Sequence, residues 1–369
     1  LNITPQKKIN LVNIAFLITI VISSAAPFLP LSFLYENYVA NILVSQLLIA
    51  LPFIVLMAAC GMNYPKTVRL KKMKVSNVLL TILLGFLVQP LLTFINALSL
   101  IFTTNAISST IYDVSKEIPW WGGFLLIALL PAIFEESVYR GVLYNTYKAA
   151  HPWKAVLLSA LLFGLMHGNL NQFCYAFVMG IIFALIIEAT DSILSTMIIH
   201  FATNAISTAM IYLFPKLYDF LKAMHTLYSE QGMDSVAGQI EQYVGDLSMS
   251  SDEWMQMIFA NSAGTHLSLG TVVLTYLPSA VVFSTLAFLL LRVISKRSGT
   301  WNRFSVLYLG ADEVVVEAEQ KSPYEKEKGL DENQLGDPSV RVMTTPLMIA
   351  IAVGVLFMFV YETLKLLPQ

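Results

Sequence analysis

Charge is scarce in this sequence. Asp, Glu, Lys and Arg make up 12% of its 369 residues, against about 25% in soluble domains. Residues so poor in charge cannot cover a globule with solvated surface, which excludes an ordinary soluble fold. Basic and acidic residues nearly balance, 22 against 24, so there is no cationic excess to hold nucleic acid. Cysteine is almost missing. Cys60 and Cys174 both lie in apolar stretches, and neither belongs to a CxxC pair. That argues against a disulfide framework or a sulfur-ligated metal. Walker, Rossmann and EF-hand patterns are missing too, which argues against an ATP-driven transporter, and no HExxH helix pairs two histidines beside a base.

What is present in quantity is long apolar sequence, with 56% of residues hydrophobic. Runs of spanning length, about 20 residues, fall at 10–29, 41–60, 77–99, 121–147, 153–172, 173–189, 192–213, 267–291 and 344–364. The expected fold class is therefore all-α, a polytopic integral membrane bundle of about nine transmembrane helices. Lys7 and Lys8 before the first run resemble a signal sequence, but the many later runs favour an uncleaved first span. Lys66, Arg69, Lys71, Lys72 and Lys74 crowd the loop after the second run. By the positive-inside rule that loop and the amino terminus are cytoplasmic. Lys148 and Lys154, and Lys296, Arg297 and Arg303, then fall on the same side.

This count divides the chain into amino-terminal spans (1–119), a core (120–213), an outer segment (214–266), a span (267–294), an inner linker (295–343) and a final span with its tail (344–369). Residues 214–263 hold seven acidic and two basic residues, and stretches such as LYDFLKAMHTLY predict short amphipathic helices on the outer surface. The linker is mixed in charge and poor in aromatics past Val316, the composition of a flexible segment, with a short strand or surface helix near Trp301–Tyr308. Its composition, and the lack of an N-x-[ST] site in the outer segment, point to a bacterial cell membrane.

Within the apolar core stands LIALLPAIFEESVYRGVLYNTY, residues 126–147. Charge inside a span is costly and marks function by default. Glu136 and Arg140 are four apart, acid first, the favourable order on one helical face. Glu135 lies about 100° round the helix with no partner in its own segment. Pro131, four residues earlier, suggests either a kink that aims Glu135 or ordinary helix curvature, and neighbouring helices can satisfy the carbonyl that such a proline frees. Further polar groups sit in other spans: His167 four after Phe163, and His200 with Asn204 one turn on. Any one could be interhelical glue, but six with complementary chemistry exceed what packing needs. A carboxylate beside an imidazole can activate water, and an imidazole with a side-chain amide can meet an oxyanion. That inventory suits amide hydrolysis of a membrane-associated protein or peptide without a covalent intermediate. Zinc held by two histidines and one or two glutamates is the competing assignment; otherwise no cofactor is expected. A non-enzymatic scaffold that positions an envelope enzyme or signalling protein is the alternative function, and a channel with Glu135 as proton relay a third. The bilayer is a partner in each case.

The EExxxR stretch (Glu135, Glu136, Arg140), FxxxH (Phe163, His167) and HxxxN (His200, Asn204) together resemble the CAAX protease and bacteriocin-processing family, which includes the type II CAAX prenyl endopeptidases. The match covers roughly Trp120–Tyr212. The resemblance implies a glutamate-dependent intramembrane endopeptidase. In it Glu135 is the water-activating base helped by His167, His200 and Asn204 are the oxyanion pair, and Glu136 and Arg140 support them. It also implies a site open to the cytoplasm and to lipid. The span count puts Glu135 in the cytoplasmic half of its helix but His167 toward the outer end of the next. A bacterial source argues against a prenylated substrate.

Overall fold

The computed structural model describes residues 3–28, 37–104, 107–264, 268–309, 337 and 339–365. Among them the chain is helical, with no strand. The helices are α1 (Pro5–Ala25), α2 (Tyr38–Ala59), α3 (Val75–Ser99), α4 (Ile107–Glu117), α5 (Trp120–Tyr147), α6 (Pro152–Leu165), α7 (Leu170–Thr190) and α8 (Ile193–Glu230). After these come α9 (Asp234–Val244), α10 (Ser251–Gly264), α11 (Leu269–Ser298), α12 (Trp301–Leu309) and α13 (Thr345–Lys365). Side chains one residue before the helices fix several starts: Asn37 accepts from the Ala40 N–H, Asn169 from Gln172 and Ser268 from Thr271, each satisfying an orphan donor.

Eight of these helices are long and apolar enough to cross a membrane: α1, α2, α3, α5, α7, α8, α11 and α13. The protein is a polytopic helical membrane bundle. The expected fifth span, 153–172, is different. It breaks after Leu165 into α6, only 14 residues long, or about 21 Å against a core of about 30 Å. Gly168 adopts φ +69°, open to glycine without steric cost, and Asn169 then caps α7. Apolarity alone hides this stop and start. The expected seventh span, 192–213, continues as one helix to Glu230. The surface helix expected near Trp301–Tyr308 is α12, whereas the rest of the flexible linker expected at 295–343 lies largely outside the described residues.

Close approach holds the centre together, as it must where lipid removes the hydrophobic drive between helices. The α6–α7 hairpin closes at Gly180, where a Cβ would stand 2.7 Å from the Ala160 Cα. Gly354 of α13 meets Ile20 of α1 and Leu165 of α6 in the same way.

The bundle has two unlike ends. At one, Arg69, Lys148 and Arg303 converge on Glu188 of α7, at 2.6, 2.5 and 3.6 Å, and Arg303 and Lys71 hold Asp191. Glu188, at the end of α7, is fully buried beneath these cations. Arg297 reaches Ser76 and Gln6 reaches the Arg341 carbonyl at this same basic end. At the other end α4, α9, α10 and the distal half of α8 form a cap. Tyr112 and Lys116 of α4 meet Asp252 of α10, and the Tyr218 hydroxyl donates to the Asp246 and Met249 carbonyls.

Candidate active site

The backbone of α5 is unusual around the candidate residues. Residues Phe124–Leu129 and Ser137–Tyr144 are π-helical, on either side of the α-helical turn Leu130–Glu136. Inserted π turns gather at functional sites. Pro131 has no N–H for the Ile127 carbonyl four residues earlier. Asn204 of α8 fills that place, its Nδ2 donating to the Ile127 oxygen at 3.2 Å. The proline therefore couples α5 to α8 and fixes the amide that stands beside the glutamates.

The two glutamates part company as their spacing implies. Glu136 is fully buried and accepts from Arg140 Nη1 at 2.9 Å. The guanidinium lies between two rings, 4.3 Å from the Phe163 centroid and 4.9 Å from Phe183, so aromatic faces meet the parts of it that the carboxylate does not. Glu136 Oε1 also accepts from His200 Nδ1 at 2.9 Å. Glu135 points elsewhere. Its Oε1 accepts from Gln46 Nε2 of α2 at 3.0 Å, and its Oε2 lies 3.9 Å from His200 Nε2. His200 thus stands between the pair, one ring nitrogen toward each.

Hydrogen-bond partners settle both imidazole tautomers. His167 Nδ1 lies 2.9 Å from the Phe163 carbonyl, which can only accept, so Nδ1 carries the proton and a neutral ring leaves Nε2 with a lone pair. His200 Nδ1 likewise donates to a carboxylate, so its Nε2 can donate only when the ring is charged. Phe163 stands edge-on to both rings, with centroids 5.1 Å from His167 and 6.0 Å from His200. The phenylalanine of FxxxH is a wall shared by both histidines and the arginine.

Glu135, His167, His200 and Asn204 line one cavity of about 460 Å³, enclosed by α3, α5, α7 and α8 with Ile111 of α4. Short α6 removes the depth mismatch expected for His167. Measured from the basic ends of their helices, Glu135, His167 and Asn204 stand at roughly 18, 21 and 17 Å. All six residues singled out from the sequence meet here: four on the cavity wall, with Glu136 and Arg140 packed behind. Among the described residues no group of three or more His, Cys, Asp or Glu side chains is arranged to hold a metal ion.

Sequence reasoning missed Gln46 and Phe183. Gln46 carried a usable signal, a carboxamide inside the apolar run NILVSQLLIALPF; Phe183 carried none, being one aromatic among many. Gln89, Asn96, Asn171 and Gln172 add further carboxamides to the wall.

Comparison with known proteins bears on this segment. Residues 117–206 match the family model described as type II CAAX prenyl endopeptidase Rce1-like. The UPF0177 protein YbdI of Lactococcus lactis subsp. lactis (strain IL1403) is 32% identical over 80 residues, covering 22% of this chain and 41% of that protein. No solved structure matches. The segment that holds the EExxxR, FxxxH and HxxxN motifs is thus similar to the Rce1-like type II CAAX prenyl endopeptidases, over less than half of the chain.

Proposed function

We propose that this protein is an intramembrane endopeptidase that cleaves a membrane-associated protein or peptide with water activated by Glu135 and His167. The observation that carries the proposal is the division of labour between the glutamates. Glu136 is neutralised by Arg140 behind the wall, while Glu135 faces a polar cavity shared with two histidines and an amide. The Rce1-like match over 117–206 supports a protease of the CAAX type.

In this reading Glu135, aided by His167 Nε2, takes a proton from water, and the resulting hydroxide adds to the scissile carbonyl carbon. The carbonyl becomes an oxyanion that accepts from Asn204 Nδ2 and from the Nε2–H of a charged His200, whose Nδ1–H the Glu136 carboxylate holds; the oxyanion itself is the counter-charge. Collapse breaks the C–N bond, and Glu135 returns its proton to the departing amine. Gln46 orients Glu135 by holding one carboxylate oxygen. No step requires a metal. The zinc alternative finds no group of three suitable side chains among the described residues, and elemental analysis with chelation tests it.

The test is cleavage of membrane peptides by purified protein in proteoliposomes. Glu135→Gln and His167→Ala are each expected to lose at least about 100-fold in rate, the usual share of a general acid–base group. Wild-type rates in both variants would refute the mechanism. We place the protein in a bacterial cell membrane with its basic end cytoplasmic, by loop charge and by the bacterial source of the Lactococcus relative.

A further inference from the structure

The cavity has a direction. From Glu135 its wall follows α8 through Asn204, Thr208 and Ile211, and α3 through Gln89 and Asn96, before reaching Ile111 of α4. Each step leads away from the basic end and toward the cap. The exposed residues of the wall, Thr93 and Ser207, lie there as well. The other direction is shut. Tyr139, Leu143, Tyr144, Phe163, Phe183 and Ile199 are all buried beneath the glutamates, and beyond them the ion pairs of Glu188 bind the basic loops together. A second, apolar cavity between α2 and α5, lined by Phe53, Met57, Phe134 and Ser137, holds none of the six site residues.

We infer that the site is loaded from the capped, extracytoplasmic end, and that its substrate is an extended polar peptide segment exposed on that side of the membrane. The inference rests on the protease reading for what happens to the peptide, but not for the side of entry. Basic loops stay cytoplasmic, so the open end faces out. The wall there carries five carboxamides, Gln89, Asn96, Asn171, Gln172 and Asn204. Gln89 and Asn171 spend both amide hydrogens on neighbours and present their carbonyl oxygens, while Asn96, Gln172 and Asn204 supply N–H donors, so together the wall offers the two kinds of group that an unfolded backbone presents. The resemblance implied a cytoplasmic opening; here the lining residues run to the opposite face.

The experiment is side-specific labelling of single cysteines, with Cys60 and Cys174 replaced by alanine. Thr93→Cys and Ser207→Cys report the cavity, and Lys72→Cys, exposed in a basic loop, reports the opposite end. A membrane-impermeant maleimide is expected to label both cavity cysteines in intact cells, and Lys72→Cys only in inside-out vesicles. Labelling of the cavity cysteines from the side of Lys72→Cys would overturn the inference, as would failure of both to label from outside. Labelling needs no catalysis. A protein that labels as expected yet cleaves nothing would sink the protease reading and leave the entry side standing.

Discussion

At the scale of single residues, the adjacent glutamates differ because of what lies one helical turn away. Arg140 is four residues from Glu136, and nothing comparable serves Glu135 within its helix. Replacing Glu136 by glutamine leaves Arg140 fully buried without its counter-charge. Stripping one partner from a buried pair costs about 3–5 kcal/mol. Glu136→Gln should therefore lower the thermal unfolding midpoint in detergent as well as activity, and an unchanged midpoint would contradict the supporting role. Gln46 makes the contrast. It gives Glu135 one hydrogen bond, from a helix outside the matched segment. Loss of a hydrogen bond to a charged group is worth about 1.5–3 kcal/mol. Gln46→Leu should reduce kcat by about tenfold or more, with KM and the unfolding midpoint nearly unchanged, whereas Gln46→Glu should not restore the rate. Full activity in Gln46→Leu would remove it from the site.

At the scale of elements, the sequence was readable wherever one signal dominated and opaque wherever two competed. Apolar runs located all eight long helices, and the i, i+4 pair at Glu136 and Arg140 oriented the central one. Apolar residues on both sides mask the break at Gly168–Asn169, so the sequence alone makes α6 look long enough to span. The π-helical turns of α5 have no sequence period of their own, and the contact between Gln46 and Glu135 joins residues 89 apart. Asp191 shows what a turn can hide. It caps α7 at φ +54°, a conformation that Asp and Asn tolerate. Burial raises its pKa, but the hydrogen bond from Lys71 and the charges of Arg303 and Arg69 outweigh that and hold it below the ordinary aspartate value. A carboxylate depressed in this way stabilises the fold at neutral pH, and the gain is lost as pH falls through its folded pKa. Asp191→Asn keeps the backbone and removes the charge. It should destabilise the protein by about 1 kcal/mol at pH 7, and the gap from wild type should close below about pH 4. Unfolding midpoints in detergent at the two pH values would show this, and a gap that does not narrow in acid would count against the assignment.

At the scale of the whole molecule, the matched segment does not stand alone. Phe357 of α13 packs over Gly168, where a Cβ would lie 2.7 Å from its ring. The Leu170 N–H donates to Glu362 Oε1 at 3.0 Å, capping α7 from the last span. The Tyr147 hydroxyl donates to Asn13 of α1, and Asn13 Nδ2 donates to the Val342 carbonyl ahead of α13. The turn that sets His167 is thus clamped by α13, nearly 200 residues away in sequence, and α13 is braced by α1. The final span lies outside the matched segment in sequence, and its contacts make it a support for that segment. A chain ending at residue 343 should still insert its other spans but lose the clamp on residues 166–170. Cleavage is expected to fall at least about tenfold, because small misplacement of a catalytic group is costly in rate. Phe357→Ala should show the same defect more weakly, with His167 freer to move behind an empty contact. Both effects would be read as kcat in proteoliposomes, alongside the unfolding midpoint. Wild-type cleavage by the shortened chain would mean that α13 serves insertion or partner binding and leaves the position of His167 to α6 and α7 alone.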